Sequence, residues 1–278
     1  MIDPIVSPDW LAARLSDPNI RIVDATLPMV GQTGHDRDSY VAGHIPGAVF
    51  FDINAIADPT TDLPHMLPTP EAFATAAGDL GLSPDATTVV YDAHGIYSAP
   101  RVWWTLRTMG YSQVFVLDGG LPAWTAAGLP IETAIPSPRA VPVQTAFKPG
   151  LLASLADVAA RIEDRAAQIV DARPAARFTA ETPEPRANLR SGHMPGALNV
   201  PFGEVVTSQG TLRPADALRE VFQAVDPGLP VITSCGSGIT AAILALALAR
   251  LGRQDVAVYD GSWTEWAARA DTAIVTGA

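Results

Sequence analysis

The sequence predicts an α/β protein made of two tandem copies of one unit, each a mainly parallel sheet with helices on both faces. Recurring phrases are the first ground for this. "IVDAT" at 22–26 is answered by "IVDAR" at 169–173, "GHIPGA" at 43–48 by "GHMPGA" at 192–197, and "VVYD" at 89–92 by "VITS" at 231–234. "VFVLDGGLPAW" at 114–124 is answered by "VAVYDGSWTEW" at 256–266, and matches kept in the same order indicate a duplication. The second ground is the character of the strands: continuous apolar runs separated by helical patterns belong to sheets covered on both sides. The third is "AIPSPRAVPVQTAFKPG" at 134–150, which has four prolines and no sustained period, the mark of an extended linker.

Taken in order, strands are expected at 20–24, 89–92 and 114–118 in the first copy. They are expected at 168–171, 231–234 and 256–260 in the second, each followed by a turn and a helical stretch. The predicted division is therefore a first domain over 1–133, a linker over 134–150 and a second domain over 151–278.

Composition limits the function. A chain of 278 residues that is 48% apolar can bury two cores of ordinary size. Its formal net charge of −11 disfavours nucleic acid as a partner, because phosphate binding depends on Lys and Arg. The one lysine, Lys148, lies in "FKPG" and not in a glycine-rich loop, so no P-loop is present. The start, "MIDPIVSPDW", is acidic and interrupted by Pro4 and Pro8, unlike a signal peptide, and no apolar run suggests a membrane span. A cytoplasmic protein without a membrane partner is expected.

Cys235 is the only cysteine, which leaves no internal disulfide and no cysteine cluster for zinc. It opens the loop "CGSGIT", between the apolar strand 231–234 and an alanine- and leucine-rich helix. Ligands of α/β sheets gather at the carboxyl ends of strands. Gly236 and Gly238 let the loop curl so that successive N–H groups converge, and the following helix adds its positive end. Such surroundings favour a thiolate, the nucleophilic form of the side chain. The alternative is an inert buried thiol. An ungapped match of the two copies sets Ala93 opposite Cys235, so the first copy lacks the nucleophile and the second is the catalytic one.

The paired "GHIPGA" and "GHMPGA" phrases, the linker, "CGSGIT" and the closing "YDGSWTEWAARA" together resemble the two-domain rhodanese family over nearly the whole chain. The glycine–serine loop is similar to that of members that use 3-mercaptopyruvate, with Ile239 where valine is usual. Members that use thiosulfate carry basic residues after the cysteine, where this chain has Gly236 and Ser237. Phosphatases of related fold need an arginine after the loop, and here Ala241, Ala242 and Ile243 follow.

The resemblance implies that a persulfide forms on Cys235 and that pyruvate is released, with no metal or organic cofactor. Sulfur then passes to an acceptor thiol, thioredoxin being one the family uses, or to cyanide. The loop backbone of Gly236, Gly238, Ile239 and Thr240 would cradle the sulfur. An oxo-acid carboxylate needs a planar cationic fork. Arg173, Arg177, Arg186 and Arg190 are available, and the family pattern selects Arg177 in "RF" and Arg186 in "EPR". Arg173 is expected to bond within its loop and Arg190 to be a solvated charge.

By the same resemblance Ser237 hydrogen-bonds the sulfur or relays a proton, with helix capping as its alternative, and Thr240 suits either purpose. His44 is the expected helper of Ser237, "GHDRDSYVAGHIPGA" offers Asp36 and Asp38 as the acid with Asp36 preferred, and His193 is expected to be a structural turn residue. Trp103, Trp104, Trp263 and Trp266 read as packing. Two other readings stay open: a thiosulfate sulfurtransferase, and a catalytically silent rhodanese-like binding module.

Overall fold

The computed structural model describes residues 3–32 and 37–277. The chain forms two compact units. The first comprises residues up to Pro59, Leu67–Lys148 and Val206–Leu212, and the second comprises Thr60–Met66, Pro149–Val205 and Arg213 onward. The proline-rich segment thus runs with the first unit as far as Lys148. Its backbone is tied there by Val141 N–H to the Gly78 carbonyl (3.0 Å) and by Lys148 N–H to the Thr108 carbonyl (2.8 Å). Two short stretches are also exchanged: Thr60–Met66 joins the second unit, and Val206–Leu212 joins the first.

Each unit contains a five-stranded parallel sheet. In the first, β1 (Ile5–Val6), β2 (Ile20–Asp24), β3 (Val49–Phe50), β4 (Thr87–Tyr91) and β5 (Val114–Leu117) lie in the order β1-β5-β4-β2-β3. In the second, β6 (Leu152–Ala153), β7 (Gln168–Asp171), β8 (Leu198–Asn199), β9 (Val231–Ser234) and β10 (Ala257–Tyr259) repeat that order as β6-β10-β9-β7-β8. The central pairs are in register, Ile22 against Val89 and Val170 against Thr233. Four strands of two residues, β1, β3, β6 and β8, add to the six expected from the apolar runs.

The helices follow from their sequences. Ser154 and Asp157 close a reciprocal box at the start of the helix Leu155–Asp164, satisfying two N–H groups that the first turn leaves open. The helix Ala241–Arg250 is apolar all round, and its residues from Ala241 to Ala249 are buried. Burying each of Ile243, Leu244, Leu246 and Leu248 contributes about 1.5–3 kcal/mol, which fixes the helix immediately after the cysteine loop. Among the described residues no helix is long and apolar enough to cross a membrane.

The tryptophans pack as expected. Trp103, Trp104, Trp263 and Trp266 are buried, and the indole N–H groups of Trp103 and Trp263 donate to the Val114 and Arg190 carbonyls at 3.2 and 3.0 Å.

Candidate active site

Cys235 follows the last residue of β9, at the strand end where β9 lies beside Asp171 of β7. The residue is 2% exposed. Segment 259–264 fastens its loop. The Cys235 N–H donates to Ser262 Oγ (3.1 Å), whose hydroxyl donates to the Tyr259 carbonyl (2.8 Å). The N–H groups of Trp263 and Thr264 donate to the Cys235 and Gly236 carbonyls, each at 2.9 Å. With those carbonyls held, the N–H groups of Gly236, Ser237, Ile239 and Thr240 meet no acceptor among the described residues. A run of open N–H groups leading into a helix is a concavity for an anion.

The two loop glycines serve different needs. Gly238 has φ +79°, a left-handed conformation that side chains resist. Gly236 leaves space: a methyl group built on it would lie 3.3 Å from Nη2 of Arg177 and 3.7 Å from Nη1 of Arg186. Both guanidinium groups therefore stand beside the residue next to the cysteine. Gly236→Ala is expected to push them back and raise KM for an anionic donor roughly tenfold, with melting temperature little changed. Steady-state kinetics together with a melting curve measure both.

The hydroxyls of Ser237 and Thr240 are not used in capping. The helix begins at Ala241 with Thr240 at the cap position, and no side-chain cap bond forms there. Ile239 is 4% exposed, so what it offers the loop is its N–H group.

Behind Arg177 lies a buried ion network. Arg173, 1% exposed, donates to both Asp171 oxygens (Nε at 3.0 and 3.1 Å, Nη2 at 2.7 Å) and to Glu184 Oε1 (Nη1 at 2.7 Å). Its guanidinium lies over the Trp263 ring, 4.1 Å from the centroid. Burial alone would depress this group, but the charges of Asp171 and Glu184 outweigh that effect and hold it above the ordinary arginine value. Glu184 in turn pairs with Arg177 through Oε2 to Nη2 and through Oε1 to Nε at 3.3 Å. Arg186 has no ion pair among the described residues. Arg190 departs from the solvated charge expected: it donates to the carbonyls of Ala267 and Thr272 (3.1 Å each) and so ties down the C-terminal segment.

The expectation for His44 needs correcting. Its ring is fully buried in the first unit, stacked on Tyr40, with Nδ1 donating to the Tyr40 carbonyl (2.8 Å) and Nε2 3.7 Å from Glu132 Oε1. His193 has the same setting on Phe178, ring to ring at 3.8 Å, with Nδ1 donating to the Phe178 carbonyl (2.9 Å). Matching phrases thus make matching structural histidines, and the fully buried His44 ring is committed to its own turn. Asp36 lies outside the described residues.

Two further residues of the second unit, His65 and Ser262, stand outside the motifs that mark the site in the sequence. His65 sits in the exchanged stretch 60–66, half-buried, with φ +64°. It is the histidine of that unit that is not packed away. The signal is present in "DLPHMLP", a histidine between prolines in a loop whose counterpart in the other copy, 200–214, has no histidine. Ser262 is the second. It occupies the place of Gly120 in the repeated phrase and adopts φ +49°, at a backbone cost of about 1 kcal/mol. That conformation lets its hydroxyl hold the Cys235 amide. Ser262→Ala is expected to leave that N–H unpaired and to lower kcat about tenfold, measurable in single-turnover experiments.

The sheet order, the N–H-lined loop after β9 and the arginines beside it define an α/β protein with a place for a small anion next to a buried thiol. The chain belongs to the rhodanese family: the profile of the rhodanese-like domain matches residues 7–127 and 154–269. The chain is 48% identical over 269 residues to the 3-mercaptopyruvate sulfurtransferase of Escherichia coli K12, covering 96% of this chain and 95% of that protein. It is 44% identical to the thiosulfate/3-mercaptopyruvate sulfurtransferase 1, mitochondrial, of Arabidopsis thaliana, covering 98% of this chain and 78% of that one. The crystal structure of SseA, a 3-mercaptopyruvate sulfotransferase from Escherichia coli, superimposes with a TM-score of 0.87 at 45% identity, covering 94% of this chain and 99% of that one.

Proposed function

We propose that this chain is a 3-mercaptopyruvate sulfurtransferase working through a persulfide on Cys235. The observation that carries the reading is the pair of guanidinium groups, Arg177 and Arg186, against Gly236 beside the thiol. They hold the oxo-acid carboxylate while the Cys235 thiolate attacks the donor sulfur. A sulfur–sulfur bond forms and the carbon–sulfur bond breaks, its electron pair leaving as the enolate of pyruvate. The proton of the donor thiol goes to that enolate, relayed by the Ser237 hydroxyl, with His65 as the histidine of the same unit suited to assist.

The outer sulfur then rests against the open N–H groups of Gly236, Ser237, Ile239 and Thr240, which stabilise its negative charge. An acceptor thiolate or cyanide attacks that sulfur and restores the Cys235 thiolate. Reduced thioredoxin is a fitting thiol acceptor, and a cytoplasmic setting suits a free cysteine.

Initial rates with varied donor and acceptor test the proposal. Parallel double-reciprocal lines are expected, with kcat/KM for 3-mercaptopyruvate at least about tenfold above that for thiosulfate. Preference for thiosulfate would identify a thiosulfate sulfurtransferase, and no transfer from either donor a rhodanese-like binding module.

A further inference from the structure

We propose that Glu184 sets the charge class of the donor, acting through Arg177 as a positioning residue. The inference rests on the placement of the donor carboxylate at Arg177 and Arg186. In the buried network Asp171 is matched by Arg173, and Glu184, its side chain 2% exposed, bridges Arg173 and Arg177. Glu184 therefore neutralises one of the two guanidinium charges that face Gly236 and fixes its plane. Among the described residues Arg186 is left as the single uncompensated positive charge of this group. One positive charge beside a buried thiol complements a donor with one negative charge. A dianion would be left half compensated, at a desolvation cost that an exposed site would not impose.

A neutral amide of the same shape tests this. In Glu184→Gln the pocket gains one net positive charge while its volume is kept. Two ratios are read in wild type and variant: kcat/KM for thiosulfate over 3-mercaptopyruvate, and the calorimetric affinity for sulfate over pyruvate. Both ratios are expected to move toward the dianion by on the order of tenfold. Glu184→Asp, which keeps the charge but is too short to bridge both arginines, is expected to raise KM and leave the ratios near wild type.

Equal losses for both donors with unchanged affinity ratios would overturn the proposal and leave Glu184 a merely structural residue. If Glu184→Gln does not fold, the wild-type affinities decide: pyruvate binding more tightly than sulfate supports the proposal, and the reverse order sinks it. A wild-type protein that takes no sulfur from 3-mercaptopyruvate but shows the anion ratios above would refute the activity and keep the charge assignment.

Discussion

Cys235→Ser is expected to abolish sulfur transfer, lowering kcat by at least about a thousandfold, because a hydroxyl in the same place cannot carry the transferred sulfur as a persulfide. The size of the effect separates two roles for the surrounding loop. If the N–H groups and the arginines only bind the donor, the variant still binds pyruvate with near wild-type affinity while turning nothing over. Activity measured with each donor, alongside calorimetric binding of pyruvate, distinguishes lost chemistry from lost folding. Substantial residual transfer would remove Cys235 from the mechanism.

The largest effect on stability is expected in the unit that lacks a cysteine. There the loop after β4 is filled by its own acid. Asp92 Oδ2 accepts the N–H groups of Tyr97, Ser98 and Ala99 at 2.9, 2.9 and 2.8 Å, and Oδ1 accepts that of His94 at 2.9 Å. The matching position in the second copy is Ser234, so the second loop has no internal acceptor of this kind. Removing a fully buried acceptor takes the partner from four donors, three of them at the start of the helix Ala99–Thr108. Asp92→Ala is therefore expected to cost about 3–5 kcal/mol and to lower the melting temperature by on the order of 10 °C. Thermal unfolding followed by circular dichroism measures it. A melting temperature within a degree or two of wild type would mean that water satisfies those N–H groups and that the acid is dispensable.

The same comparison of the two loops shows what the sequence makes legible. Duplication was readable because whole phrases recur, and buried parallel strands such as β4 and β9 announce themselves as apolar runs. The two-residue strands β1, β3, β6 and β8 carry no period of their own. They exist because a neighbouring strand offers its edge, as Val116 and Leu117 do for Ile5 and Val6. The exchange of 60–66 and 206–212 between units is likewise set by tertiary packing and leaves no local mark.

At the site, Cys235 and its loop followed from local chain chemistry, and Gly238 has the conformation that such a turn demands. Gly236 is legible as a loop glycine, but its need is for space beside two arginines far away in sequence. His44 shows the limit of carrying a role along a repeated phrase: both phrases build the same buried turn, and the half-buried histidine of the second unit, His65, comes from elsewhere. Ser262 was visible as the serine in "DGS" against the glycine in "DGG", a mismatch that becomes meaningful once φ is known. Glu184 drew no notice because a carboxylate between prolines reads as solvated until the guanidinium groups around it are seen.

The central claim, that one sulfur atom rests covalently on Cys235 during turnover, is met most directly by mass spectrometry of the intact protein after brief exposure to 3-mercaptopyruvate without acceptor. The account predicts a gain of one sulfur mass, located to the peptide carrying Cys235 and removed by a thiol or by cyanide. An unmodified protein that nevertheless releases pyruvate and transfers sulfur would contradict it.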